Sequence, residues 1–273
     1  MTAVRVLVLG ASGRLGGMLR RHWPGRADLA PLWQMRRPLP GALCFSPLED
    51  RPDLGPLDAV LGLAGITPQT GAALDLNTDL ALTAVDLAAR HGARRVFLSS
   101  SASAYAPGPD ALAEDDRNPP PSAYGRAKRA MEGAALARAQ ALGVAATVLR
   151  IGNVAGADAL MAAPPGPKLL DRFPDGRGPR RSYVAPQDLA AILGDLVGLA
   201  TPLPEVLNIA LPGAVAMEDL LTEAALPFDW RPAPPEAIPS LVLDVSRLLA
   251  LMPLPPADPA RIVAGWREDR RMP

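Results

Sequence analysis

Val4-Arg5-Val6-Leu7-Val8-Leu9-Gly10-Ala11-Ser12-Gly13-Arg14-Leu15-Gly16 is the stretch that decides the fold of this 273-residue chain. Residues 4 to 9 read as a buried parallel strand, three glycines spaced three apart follow at once, and a helical pattern runs on to about Arg21. Gly10, Gly13 and Gly16 permit a tight turn, close approach of backbone to a pyrophosphate, and close packing of helix on strand, with the anion at the helix N-terminus. A glycine triplet directly after an N-terminal strand is far more specific than the triplet alone. The stretch predicts dinucleotide binding through Gly10, Ser12, Gly13, Arg14, Leu15 and Gly16.

Working outward, a second strand is expected at about 29–35, ending over the adenosine ribose. Where an NAD site places a carboxylate to accept from the 2′-hydroxyl, this chain has Gln34, Met35, Arg36 and Arg37. Two guanidiniums suit a 2′-phosphate, so NADP is the preferred cofactor and NAD the second choice. Asp58 to Ala64 reads as a strand ending in Leu63-Ala64-Gly65, where small residues let a cofactor lie across the strand ends. Thr70 to His91 is expected as one long helix. Arg94 to Ser99 is a further strand, delivering Ser99, Ser100 and Ser101 at its carboxyl end, where ligands bind in doubly wound sheets.

Residues 106 to 121 read as a surface loop, and an alanine-rich helix follows to about Leu142 with Tyr124 and Lys128 at its front. Positions four apart share a helix face, so phenol and ammonium project together. Free tyrosine titrates near 10, so a phenolate at neutral pH needs roughly 3 pH units, or about 4 kcal/mol, of stabilisation. A lysine beside a positively charged cofactor could supply it. The chain has 26 arginines and only two lysines, Lys128 and Lys168, which singles out a position where a compact ammonium is retained.

Strands at 144–150 and 205–210, a helix at 186–199 and short helices at about 216–225, 244–251 and 257–269 complete the expected elements, with 156–179 an irregular excursion. The expected architecture is α/β: a Rossmann-like doubly wound parallel sheet over 1–155, then a small substrate-binding part over 156–273 from which 186–210 returns to the core. Zero net charge without a basic stripe excludes a nucleic-acid or anionic-membrane reading, and no apolar run is long enough for a membrane span. Cys44 alone permits no internal disulfide and reads as a small buried residue of a reducing cytoplasm. His22 and His91 read as surface helix residues, and no ligand cluster points to a metal.

Taken together, Gly10-x-x-Gly13-x-x-Gly16, Leu63-Ala64-Gly65, Asn77, Ser99-Ser100-Ser101-Ala102-Ser103-Ala104-Tyr105, Tyr124-x-x-x-Lys128, Arg150-Ile151-Gly152-Asn153 and Arg181-Ser182-Tyr183 with Asp188 resemble the extended short-chain dehydrogenase/reductases, the nucleotide-sugar epimerase/dehydratase group. The resemblance covers residues 1 to about 210. It implies that Tyr124 is the proton donor or acceptor, that Lys128 binds the nicotinamide ribose and lowers the tyrosine pKa, and that Ser101 holds the reacting oxygen. It implies further that Asn77 and Ser99 support the cofactor side, and that Ala102, Asn153 and Arg181 lie on the substrate side. Family members often pair through the helices that correspond to 72–91 and 124–142, which makes a homodimer an expectation.

Departures narrow the chemistry. Dehydratases of the family carry Asp-Glu after the residue equivalent to Ser101, and this chain has Ala102 and Ser103 there, so elimination of water is not expected. Ala155 replaces a customary tyrosine and Gly62 a frequent histidine. The leading expectation is a reductase or dehydrogenase acting on a small-molecule carbonyl or secondary alcohol, a sugar nucleotide or similar compound. The alternatives are an NAD-dependent epimerase and a non-catalytic NADP-sensing protein, which would not need Ser101, Tyr124 and Lys128 together.

Overall fold

A computed structural model describes residues 2–108, 110–162 and 166–273. Strand β1 (Val4–Leu9) is an interior strand of a seven-stranded parallel sheet with β2 (Leu29–Met35), β3 (Leu43–Cys44), β4 (Ala59–Gly62), β5 (Arg95–Ser101), β6 (Ala145–Ile151) and the strand Val206–Ile209. The order across the sheet is Val206–Ile209, β6, β5, β4, β1, β2, β3. The sheet thus grows in opposite directions from β1 and reverses between β1 and β4, the switch point at which doubly wound sheets take ligands. Val6, Leu7, Val8 and Leu9 are at most 1% exposed, as a central strand covered on both faces requires.

Right-handed crossovers place helix α1 (Arg14–His22) on one face and α2 (Leu76–Arg90) and α3 (Ala123–Leu142) on the other. Helix α4 (Pro186–Gly198) meets α1 through Trp23, whose indole N–H donates to the carbonyl of Ala190 at 2.9 Å. On the opposite face α2 packs on α3 over an apolar core that includes Leu9, Val60, Leu98 and Met131.

Contacts divide the chain into Met1–Ala104, Pro119–Arg150 and Ala190–Leu207 as one unit, and Tyr105–Asn118, Ile151–Leu189 and Asn208–Pro273 as the other. In the second unit, Arg180–Arg181 is flanked by Val215–Ala216 and Ser240–Leu241, and Lys168–Arg172 pairs with Phe228–Pro232. Asn208 ties its segments together. Its side chain accepts from the Tyr105 hydroxyl at 2.7 Å and donates to the carbonyls of Leu112 and Asp244, each at 2.8 Å.

Several expectations are corrected. Helix α2 starts at Leu76 and not at Thr70, because Gly71 sits at φ 69° after a short 3-10 turn (Pro68–Thr70). The excursion 156–179 contains the strand Lys168–Arg172; residues 163–165 within it lie outside the described residues. Cys44 is exposed, its thiol 3.6 Å from the carbonyl of Arg36, and His91 is buried at the C-terminal cap of α2.

Candidate active site

The glycine turn is built as its sequence requires. Gly10 adopts φ +82°, and a Cβ there would come within 2.6 Å of the backbone nitrogen of Ala64. At Gly16 a Cβ would fall 2.5 Å from the Gly10 carbonyl oxygen and 2.6 Å from the Ala11 Cα, so helix and turn touch backbone to backbone. The turn is anchored from β2: the amide of Gly10 donates to the Gln34 side-chain oxygen at 2.9 Å, and the amide of Ala11 to the Gln34 carbonyl at 3.0 Å. Helix α1 begins at Gly13 without a side-chain cap and without an acidic residue in its first turn, which leaves its N–H groups to an anion. Ser12, Gly13 and Arg14 are exposed there and Leu15 is half-buried.

Leu63 and Ala64 continue β4, the amide of Leu63 donating to the Leu9 carbonyl at 3.0 Å. Gly65 is exposed, and a Cβ on it would lie 3.3 Å from the Asn77 oxygen and 3.5 Å from Lys128 Nζ. Asn77 is buried and folds the loop after Gly65 onto α2. It accepts from the Ile66 amide at 3.1 Å and donates to the carbonyls of Ile66 at 3.0 Å and Leu74 at 2.9 Å. Arg36 and Arg37 are both exposed beyond the end of β2.

Tyr124 owes its place to the residue after it. Ser122 caps α3 by accepting from the Gly125 amide at 2.9 Å. A Cβ on Gly125 would sit 2.0 Å from the Ser103 carbonyl oxygen, so only glycine lets the helix meet the 3-10 turn Ala102–Ala104 that closely. With the helix docked, three successive residues of β5 hold three residues of α3. The Ser101 hydroxyl pairs with that of Tyr124, the Ser99 carbonyl accepts from Lys128 Nζ at 3.0 Å, and the Ser100 hydroxyl donates to Glu132 Oε1 at 2.5 Å. Ser101 also accepts from the Ser103 amide at 3.1 Å, which fixes its oxygen. Ala102 is buried in the turn.

Lys128 is 4% exposed and its Nζ stands 5.9 Å from the centre of the Tyr124 ring. Burial brings its ammonium down to about 8, with the carboxylate of Glu132 working the other way. For Tyr124, burial raises the phenol above its usual range and the Ser101 hydrogen bond opposes that. In the free protein Tyr124 is therefore a held proton.

The residues that sequence reasoning passed over lie behind this face. Glu132 and Arg150 are 4% and 3% exposed and form a two-pronged ion pair, with Nη2 to Oε2 at 2.7 Å and Nε to Oε1 at 3.1 Å. A signal was present: Glu132 is four residues beyond Lys128 on the same helix face, and Arg150 interrupts the apolar strand from Val148 to Ile151. In the second unit the Asn153 side chain bonds both Asp158 and Tyr183, and the Tyr183 hydroxyl donates to Asp158 at 2.7 Å. Arg181 is half-buried and donates to the carbonyls of Arg180 and Ile238, each at 2.8 Å. Among the described residues no three His, Cys, Asp or Glu side chains are grouped to hold a metal ion, and no helix is long and apolar enough to cross a membrane.

With this geometry, a model of the "NAD dependent epimerase/dehydratase family" matches residues 53–173. The chain resembles that family. The matched span takes in β4, α2, β5 and α3, and with them Asn77, Ser101, Tyr124 and Lys128. A UDP-glucose 4-epimerase of Corynebacterium glutamicum is 41% identical over 83 residues, 30% of this chain. The match spans a quarter (25%) of that relative's length.

Among solved structures, MoeE5 in complex with UDP-glucuronic acid and NAD superposes with a TM-score of 0.78 at 22% identity, over 98% of this chain and 99% of that one. A UDP-N-acetylglucosamine 4-epimerase from Methanobrevibacter ruminantium M1, in complex with UDP-N-acetylmuramic acid, gives 0.78 at 18% identity over 99% and 98%. At these identities the structures establish the shared Rossmann-like fold. The matching family is named for NAD-dependent epimerases and dehydratases, and the curated relative is an epimerase.

Proposed function

We propose that this protein is a nicotinamide-dinucleotide oxidoreductase of the epimerase/dehydratase type, acting at a carbonyl or secondary alcohol of a sugar nucleotide. The observation that carries the reading is the convergence of Ser101, Tyr124 and Lys128 at the carboxyl end of β5, all held by that strand. The turn between β1 and α1 fits a dinucleotide: its glycines leave a cradle that a Cβ would fill, and the helix N-terminus behind it has no capping side chain. When bound, the nicotinamide supplies or accepts the hydride at the carbon that bears the reacting oxygen.

The chain's own groups manage the proton. Ser101 orients the reacting oxygen, and Tyr124 gives it a proton in reduction or takes one in oxidation. The buried Lys128 ammonium faces the same side and favours the phenolate once the proton has left. Arg36 and Arg37 support a preference for NADP, through bidentate contacts to a 2′-phosphate. Arg181 and Asn153 are proposed to meet the substrate, Arg181 through its diphosphate. Neither Ala102 nor Ser103 offers a carboxylate, so the reading excludes dehydration.

The test is binding before turnover. NADPH and NADH are titrated separately into the protein, followed by an assay of UDP-sugars and small carbonyl compounds with the wild type and Tyr124→Phe. Expected are saturable dinucleotide binding and a loss of about 100-fold or more in turnover for the variant, with binding unchanged. Absence of binding by either dinucleotide would end the proposal. Net consumption of the cofactor marks a reductase, and sugar inversion without net consumption marks an epimerase.

A further inference from the structure

Behind the face that carries Tyr124 lies a buried charged assembly built on Glu132. Glu132 sits one turn beyond Lys128 on α3, 4% exposed, and its two carboxylate oxygens receive three donors: the Ser100 hydroxyl at 2.5 Å, Arg150 Nε at 3.1 Å and Arg150 Nη2 at 2.7 Å. Ser100 is 6% and Arg150 3% exposed, so neither partner can move to solvent. An ion pair so far from water is no net stabiliser by default, since an apolar pair of the same volume serves a core as well or better. Something else must account for a carboxylate in this place.

The geometry assigns Glu132 as a positioning residue: clamped by Ser100 and Arg150, it keeps a negative charge fixed one turn from Lys128 and so holds the Lys128 amine in its ammonium form on the Ser99 carbonyl. The inference rests on the reading of Lys128 given above and adds the group that maintains it. The groups facing Lys128 bear this out. From β5 it meets the neutral Ser99 carbonyl, from α2 Asn77, from the loop after β4 Gly65, and from its own helix Tyr124 and Glu132, with Arg150 of β6 behind Glu132. The only opposite charge in this set is Glu132. Burial works to strip the proton from Lys128, and the carboxylate of Glu132 works in the other direction.

Lysine scarcity makes the experiment direct. Labelling lysine at Cε gives two NMR signals, Lys128 and Lys168, and Lys168→Arg assigns them. The Lys128 signal is titrated in the intact protein without cofactor or substrate, so the result stands whether or not any substrate is turned over. In the wild type the midpoint is expected at about 8.

In Glu132→Gln it is expected to fall below the wild-type midpoint, with Lys168 unmoved. In Arg150→Met, which leaves the carboxylate uncompensated, it is expected to rise. Loosening of the core would expose Lys128 and raise the midpoint in both variants, so opposite signs are the signature of positioning. If Glu132→Gln does not fold, the double variant Glu132→Gln/Arg150→Met leaves no unpaired charge, and its midpoint is again expected below the wild type. An unchanged or raised midpoint in Glu132→Gln or in the double variant overturns the assignment.

Discussion

Lys128 Nζ donates to the Ser99 carbonyl at 3.0 Å from a site only 4% exposed to solvent, and burial holds its ammonium down to about 8 against an ordinary 10.5. The unfolded chain keeps that proton up to the ordinary value. Between the two values the unfolded state binds more protons and stability rises with pH; below about 8 the full cost of the buried charge is present. Lys128→Met keeps the stem and removes the charge. It is expected to stabilise the protein near pH 7 by about 1–2 kcal/mol, after the lost hydrogen bond is counted, and to abolish turnover. The gain should shrink as pH rises toward the ordinary lysine value. Urea unfolding at the two ends of that range checks both statements, and destabilisation near pH 7 would contradict them.

Gly125→Ala tests what positions Tyr124. In an open helix interior this exchange gains about 0.5–1 kcal/mol. Here the added methyl would lie 2.0 Å from the Ser103 carbonyl oxygen and 2.8 Å from Pro120 Cβ. The expected result has the opposite sign, a loss of about 2 kcal/mol or more, with turnover falling further than stability because the helix front must lift away from Ser101. Thermal unfolding combined with the turnover assay measures the two separately; a stabilised, fully active variant would show that the contact does not hold the helix.

The chain's own logic was legible where a residue has few ways to satisfy its backbone. Gly10 and Gly16 announced a backbone-to-backbone contact, which the structure makes at Ala64 and Ala11. Tyr124 and Lys128 drew notice through helical spacing together with the scarcity of lysine, and the structure sets both against β5. The pairing of Glu132 with Arg150 was harder to read from the signals each residue carries, because it spans strand and helix and depends on burial that neither residue type suggests. The start of α2 was misplaced because the apolar pattern persists through Ala72, Ala73 and Leu74, while Gly71 and the Asn77 hydrogen bonds to Ile66 and Leu74 hold that segment out of the helix. The ladder of Lys168–Arg172 with Phe228–Pro232 escaped notice for the opposite reason: a two-stranded pair with Leu169 and Trp230 exposed carries no alternating pattern to detect.

Exposed as they are, Arg36 and Arg37 add no more than a weak charge to the fold, and their loss should be nearly silent in stability. In dinucleotide binding the double variant Arg36→Ala/Arg37→Ala is expected to weaken NADPH by about 10- to 100-fold, with NADH changed less than threefold, since only the former carries a 2′-phosphate to pair with a guanidinium. Isothermal titration of both dinucleotides decides it. Equal affinities in the wild type would remove the preference for NADP.

Gly16→Ala provides the complementary case. A Cβ 2.5 Å from the Gly10 carbonyl and 2.6 Å from the Ala11 Cα can be relieved only by moving α1 away from β1. Expected are a loss of about 2–3 kcal/mol in unfolding free energy and dinucleotide binding reduced below detection for both forms of the cofactor, because the helix N-terminus no longer stands over the turn. Retained binding in a variant shown to be folded would mean that the turn is not the anion site.

The serines of β5 carry a further consequence. Each of three neighbouring residues on one strand captures a different turn of α3, so the helix can neither slide along the strand nor roll over it without breaking several bonds at once. Strand and helix consequently respond to a ligand as one piece. The entropy of arranging phenol, ammonium and hydroxyl is spent when the chain folds, and whatever arrives at the end of β5 meets groups that already stand in place.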